Sequence, residues 1–199
     1  MFLVTKTDLI LQNIARYISL SKKEEKIFTD MLQEKNIKKR QYLVHENEVS
    51  KCTAFVNKGC LRSYSIDPNG FEHILQFAPP GWWIADIYSL ISQQPGKLNI
   101  DALEDSEVLL LYRKDQEKLF EEVPKFERFF RILTEYSIAA NHNRLLDYMG
   151  LSAPERYDVF CKRYPMLMQS LPQKQIASYL GVTPEFLSKM KSALLKKKK

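Results

Sequence analysis

Gln173-Lys-Gln-Ile-Ala-Ser-Tyr-Leu-Gly-Val-Thr-Pro-Glu-Phe-Leu-Ser-Lys-Met-Lys191 carries the pattern of two short helices joined by a tight turn. Ile176, Ala177 and Leu180 fall at helical spacing and give the first helix one apolar stripe. Gly181 and Val182 make the turn, where glycine tolerates a left-handed backbone that a Cβ resists. Thr183-Pro184 opens the second helix, with threonine as N-cap and proline at the first helical position, where a missing N–H is harmless. Leu187 and Met190 form the apolar face of that helix, and the small Ala177 lets the two helices cross closely. Agreement at these fixed offsets predicts a helix-turn-helix. The competing reading is a helical hairpin with no role on nucleic acid.

Charge sides with the first reading. Residues 170–199 hold seven lysines (Lys174, Lys189, Lys191 and Lys196 to Lys199) against one acid, Glu185. The net charge of the whole chain is +6, so residues 1–169 are neutral and the basic surplus belongs to the helix-turn-helix end. That asymmetry suits a partner of high negative charge density, with duplex DNA the obvious candidate. Four terminal lysines alone would read as a solvated tail.

The bulk properties exclude several classes. A chain of 199 residues with 45% apolar content has enough material for a genuine core in one or two domains. No signal-peptide core develops after Met1, because Lys6 and Asp8 follow at once, and no apolar run approaches the roughly 20 residues of a membrane span. Cys52, Cys60 and Cys161 are odd in number and widely spaced, which fits neither a disulfide framework nor a CxxC metal site nor an iron–sulfur cluster. His45, His73 and His142 lie far apart and form no HxH pattern, so no metal site is expected. Nucleophile elbow, P-loop and paired-acid motifs are absent, and the chain does not read as an enzyme. These observations predict a cytoplasmic protein with reduced thiols, no membrane partner and no cofactor.

Three zones follow one another along the chain. Residues 5 to about 36 read as helical, with Leu9, Ile10, Ile14 and Tyr17 on one face and a capping box at Ser21-Lys-Lys-Glu24. From about 40 to 111, short β-branched and aromatic runs alternate with turn signals. Residues 52–66 read as a strand pair broken at Asn57-Lys-Gly59, Asp67-Pro-Asn-Gly70 as a hairpin turn and 71–77 as the returning strand. Strands at 99–103 and 107–112 complete a compact antiparallel barrel or jelly roll. The third zone is helical again: 113–122, a long helix from Pro124 to about Met149, and a further one from Glu155 to about Met168 behind a capping box at Ser152-Ala-Pro-Glu155. On the long helix Phe126, Phe129, Phe130, Leu133, Tyr136, Ser137, Ala140 and Arg144 recur at three- and four-residue steps. That stripe either packs on its own domain or forms a coiled-coil-like dimer seam, for which Phe130, Leu133, Tyr136, Ser137, Ala140 and Arg144 are the candidates.

The order of these zones, with Phe55-Val-Asn-Lys-Gly-Cys-Leu-Arg62, Asp67-Pro-Asn-Gly70, Gly81-Trp-Trp-Ile84 and Asp86 in sequence, resembles the Crp/Fnr regulators over residues 37 to 191. The resemblance implies an α+β fold: an N-terminal antiparallel β-roll, jelly-roll-like, with flanking helices (1–122), a long connecting dimerisation helix (123–150), and a C-terminal helix-turn-helix domain (151–199). It also implies a homodimeric, sequence-specific transcription regulator whose partners are double-stranded DNA and RNA polymerase.

Two departures from the family pattern bear on function. Family members that hold a cyclic nucleotide use a Gly-Glu pair for the ribose and an Arg-Ser pair for the phosphate. Here those pairs align with Ala85-Asp86 and Gly96-Lys97, so the arginine is missing and Lys97 lacks its bidentate fork. With Trp83, these residues outline the candidate effector pocket, and the alignment implies a roll that does not respond to cAMP; the effector is not named by the sequence. After Lys191 only eight residues remain, too few for the two-stranded wing that usually follows the recognition helix, and the lysine tail could replace it as a phosphate contact.

Matched to the family motif, the groove-facing positions are Thr183, Pro184, Glu185, Phe186, Ser188 and Lys189, with Lys174 and Lys191 as phosphate candidates. Thr183 suits a phosphate oxygen, Glu185 a cytosine amino group and Lys189 a guanine edge. Phe186 either meets a thymine methyl group or packs inward. Trp82 and Trp83 are adjacent in a strand and point to opposite faces, one to the core, the other to core, pocket or interface. The alternative function is a ligand-binding or protein-interaction roll whose helix-turn-helix no longer reads DNA.

Overall fold

The computed structural model describes residues 6–168 and 170–197, with no side-chain detail for 195–197. In chain order the elements are α1 (Asp8–Ala15), α2 (Lys22–Asp30), β1 (Gln33–Ile37), β2 (Tyr42–Val44), β3 (Cys52–Lys58), β4 (Leu61–Ile66), β5 (Glu72–Ala78), β6 (Trp83–Ile84), α3 (Ile87–Ser92), β7 (Asn99–Ala102), β8 (Ser106–Tyr112), α4 (Arg113–Glu122), α5 (Lys125–Gly150), α6 (Ala153–Arg163), α7 (Gln173–Leu180) and α8 (Pro184–Lys197). They form two compact units. One comprises residues up to 65 together with 76–136; the other comprises 66–75 together with 137–199.

Two four-stranded sheets, ordered β1-β8-β3-β6 and β2-β7-β4-β5, make the expected antiparallel β-roll. The strand pair read at 52–66 is corrected by this topology: β3 and β4 are consecutive in the chain yet sit in different sheets. The break at Asn57-Lys-Gly59 is a corner between sheets and not a hairpin turn. It is held by Cys60, whose N–H donates to Ser106 Oγ (3.2 Å) and whose carbonyl accepts from Leu103 N–H (2.8 Å).

Alternation along the strands feeds two cores. Ala54, Val56, Val108 and Leu110 face the space between the sheets, where they meet Leu61, Ile100 and Ala102. Phe55, Leu109 and Leu111 point the other way and are covered by Ile10 and Ile14 of α1, Phe28 of α2, Leu119 of α4, and Phe126 and Phe129 of α5. Because both faces of β3 and β8 are buried, these strands are almost continuously apolar. Phe28 and Phe126 stack at 4.7 Å between ring centroids.

The helix starts follow their caps. Ser21 and Glu24 close the predicted capping box, and hydrogen bonds from the Ser21 backbone and from Lys125 pull the Glu24 carboxyl down to about 2. Lys125 Nζ also reaches the Ser19 carbonyl at 3.1 Å, so the start of α5 is tied to the loop between α1 and α2. The box at Ser152 and Glu155 closes likewise. Two helix ends differ from the sequence reading. Residues 33–36 are strand, because β1 pairs with β8 from Gln33↔Leu110 to Ile37↔Ser106, a tertiary pairing that overrides local helical preference. α6 stops at Arg163, short of 168, since Pro165 pushes Tyr164 out of the helical region.

One feature of the roll had no sequence signal. Arg62 and Asp101 are cross-strand neighbours on β4 and β7 and pair bidentately, Nε to Oδ1 at 2.7 Å and NH2 to Oδ2 at 3.0 Å, with side chains 7% and 8% exposed. The guanidinium also lies 4.1 Å from the Tyr64 ring centroid, and the Tyr64 and Tyr42 hydroxyls are 3.1 Å apart. Such a pair is retained by its geometry, because removing either partner strands a buried charge.

Candidate nucleic-acid interface and effector region

In the second unit the helix-turn-helix forms as its spacing predicts. Ile176, Ala177, Leu180, Leu187 and Met190 are buried together with Phe160, Tyr164, Leu167 and Leu171. Gly181 ends α7 in the left-handed region at φ +67, and the Val182 N–H returns to the Ala177 carbonyl at 3.0 Å. A Cβ at Gly181 would meet Tyr148 Cε1 at 3.0 Å, so this position needs glycine both for its dihedral and for space. Thr183 caps α8: its Oγ1 accepts the Phe186 N–H at 3.2 Å, and Pro184 is the first helical residue. α8 then continues as helix through Lys197. Lys198 and Lys199 of the basic tail lie outside the described residues, as do the side chains of Lys196 and Lys197.

Thr183, Pro184, Glu185, Phe186, Ser188 and Lys189 all stand on the exposed side of α8, with Lys174 exposed on α7. Among the described residues the side chains of Lys174, Glu185 and Lys189 have no hydrogen-bond or ion-pair partner. Lys191 differs: it is half-buried, and its ammonium lies 5.8 Å from the Tyr157 ring centroid. The interface therefore combines one carboxylate and one ammonium, Glu185 and Lys189, on the capped α8 with the ammonium of Lys174 on α7.

The back of the same unit is tied by contacts the sequence could not signal. Ser178 Oγ on α7 accepts the Ile74 N–H at 3.2 Å and donates to the Glu72 carbonyl. Arg144 donates to the carbonyls of Ile74 (2.6 Å), Leu75 and Tyr179 (3.1 Å), and the Tyr148 hydroxyl also donates to Tyr179 O. Arg144 is thus hydrogen-bonded to backbone carbonyls of its own chain. Of the other seam candidates, Phe130 and Leu133 pack on the helical side of the first unit's core, Tyr136 and Ser137 are exposed and Ala140 is half-buried. Exposed large hydrophobic side chains of α5 beyond residue 136 include Ile138, Leu145, Leu146, Tyr148 and Met149, of which Ile138, Leu145 and Met149 share one face at seven- and four-residue steps.

In the roll, Trp82 packs toward the inter-sheet core, while Trp83 meets Phe55, Phe129 and Phe130 edge-on and donates through Nε1 to Asn13 at 3.2 Å. Asp86 is buried and caps α3, its Oδ1 accepting from Ser89 N–H at 3.0 Å. Gly96 lies against Asp86 Oδ2 so closely that a Cβ there would collide with the carboxylate. Around them Ser89 Oγ accepts Ser50 N–H (2.8 Å) and donates to Gln94 O (2.7 Å), while Gly96 exchanges backbone hydrogen bonds with Asn47 and Glu48. Asp86 and Gly96 are therefore brought together, Ala85 is half-buried beside them in sequence, and Lys97 faces solvent. Burial pushes the Cys60 thiol up to about 12 and raises Cys52 and Cys161 as well, so none is a ready thiolate. Among the described residues no group of three His, Cys, Asp or Glu side chains could hold a metal, and no helix is long and apolar enough to cross a membrane.

Comparison with known proteins places this architecture. Residues 34–123 match the cyclic nucleotide-binding domain family. The fold is similar to that of solved transcriptional regulators of the Crp/Fnr type. FixK2 from Bradyrhizobium japonicum matches with TM-score 0.73 and 24% identity, over 83% of this chain and 85% of that one. A putative Crp/Fnr-family regulator from Eubacterium rectale matches with TM-score 0.70 and 16% identity, over 89% and 85%. The c-di-GMP-responsive regulator CLP from Xanthomonas campestris matches with TM-score 0.72 and 9% identity, over 89% and 93%. No curated protein matches the chain significantly by sequence.

The turn supplies a direct test of the helix-turn-helix geometry. Gly181→Val is expected to lower stability by about 2 kcal/mol, from the left-handed backbone and the Tyr148 contact together. Gly181→Asn, which tolerates that backbone better, should lose less in the same thermal denaturation series.

Proposed function

We propose that this chain is a homodimeric, sequence-specific DNA-binding transcription regulator of the Crp/Fnr type, working in the cytoplasm without enzymatic activity, with RNA polymerase as its further partner. The observation that carries the reading is the outer face of α8, where Glu185, Ser188 and Lys189 stand exposed on a helix whose start is capped by Thr183. A carboxylate left unpaired on the most basic part of the chain is a poor phosphate contact and a good acceptor for a base amino group. Thr183 and Lys174 supply the sequence-independent contacts to phosphate.

Selection from random duplexes by the purified full-length protein is expected to enrich a two-fold-symmetric motif with half-sites about one helical turn apart. Retention of DNA without any motif would favour the alternative, a roll whose helix-turn-helix no longer reads sequence.

A second copy of the chain is the expected cover for the apolar face of α5. Leu145 and Met149 are 58% and 78% exposed, and with Ile138 they give this face of α5 a run of apolar side chains that a partner could bury. The proposed seam therefore runs through Ile138, Leu145 and Met149, roughly 140° round the helix from the stripe of Leu133, Ala140 and Arg144. Leu145→Asp should dissociate the dimer in sedimentation velocity, whereas Ala140→Asp should leave it intact; the reverse result would return the seam to the original stripe.

The roll is proposed not to answer to cAMP. Asp86 Oδ1 is engaged in the α3 cap, Gly96 lies close against the buried Oδ2, Lys97 points to solvent, and no arginine stands at the position aligned with the phosphate. Titration calorimetry should therefore give no saturable heat with micromolar cAMP or cGMP. Micromolar binding that disappears in Asp86→Ala would overturn this.

A further inference from the structure

The recognition helix presents an aromatic ring where its neighbours are polar. Phe186 lies in the first turn of α8, and its side chain is 49% exposed. The inward position is taken by the next residue, Leu187, which is fully buried with Met190. One residue of helix is about 100° of rotation, so Phe186 stands on the shoulder between the core and the outermost residue, Glu185. Its backbone is held there, because the Phe186 N–H is the one that Thr183 Oγ1 caps. Of the two destinations open to this side chain, packing inward is therefore not the one it takes.

Resting on the DNA-reading function proposed above, we infer that Phe186 is a specificity-determining residue that reads a thymine through its 5-methyl group. The major groove edge of each base pair is a row of donors and acceptors with one apolar group, the thymine methyl. A phenyl ring has neither donor nor acceptor. Set against guanine, adenine or cytosine edges it would strip water from polar atoms and return nothing; set against the methyl it buries apolar surface on both sides. The selection is thus positive for thymine and negative against its competitors. Glu185 and Phe186 are adjacent in the same turn, so the thymine lies next to, or on the strand opposite, the base whose amino group Glu185 accepts.

Replacing thymine by uracil removes that methyl and leaves base pairing unchanged, which makes the test specific. The duplex selected by the full-length protein is resynthesised with each dT in turn replaced by dU, and affinity is read by fluorescence anisotropy. One thymine per half-site should show a loss of about fourfold on replacement, the effect of one buried methyl group. Phe186→Ser should bind the dT and dU duplexes equally while melting at nearly the wild-type temperature, since the ring is not part of the core. Equal affinity of the wild-type protein for every dU duplex would overturn the assignment, and so would a dU penalty that persists in Phe186→Ser. A pool that yields no motif at all would instead overturn the DNA-reading function, and the assignment would fall with it.

Discussion

The burial of one sheet on both of its faces organises the first unit. Strands β3 and β8 send Ala54, Val56, Val108 and Leu110 to one side and Phe55, Leu109 and Leu111 to the other. The second set would be an exposed apolar surface without the helices that cover it, and covering it recruits α1, α2, α4 and the start of α5. Phe126 and Phe129 hold that start, with Lys125 bonded to Glu24 and Ser19 beside them. From this anchored end α5 runs unbroken to Gly150, changing along its length from a core helix to one with an apolar face in solvent.

Polar groups in the two candidate regions are used in opposite ways. In the roll the residues aligned with the nucleotide pocket are drawn inward or turned away: Asp86 caps α3 through Oδ1, Gly96 closes against its other oxygen, and Lys97 faces solvent. On α8 the charged side chains of Glu185 and Lys189 remain unpaired among the described residues. An unpaired carboxylate and ammonium cost nothing while hydrated, and they become useful only when a partner displaces that water. The same contrast explains why the helix-turn-helix is the stronger functional signal even though the roll is the larger domain.

How much was legible beforehand depended on how local each determinant is. The capping boxes at Ser21 and Ser152, the Thr183-Pro184 start, the Gly181 turn and helix α4 are encoded within a few residues, and they appear where the spacing puts them. Apart from the early end of α6 before Pro165, a local stop, the departures are non-local. Residues 33–36 became strand because β8 offered an edge, and β3 and β4 parted into different sheets because Cys60 is bonded to the β7–β8 connection. The Arg62–Asp101 pair joins residues 39 apart, and Ser178 meets Glu72 across 106 residues, separations at which no sequence pattern predicts contact.

The sequence by itself determined the succession of helical, β-roll and helical zones, the helix-turn-helix with its basic surplus, and the absence of an arginine at the aligned phosphate position. Each follows from periodicity, caps or charge, properties that neighbouring residues carry together. Only the tertiary structure decided which face of α5 is apolar and open, that Arg144 is occupied by backbone carbonyls, that Asp86 serves a cap, and that Phe186 points outward. The physical reason is that a helical stripe states which residues share a side, while exposure depends on what the rest of the chain brings against it.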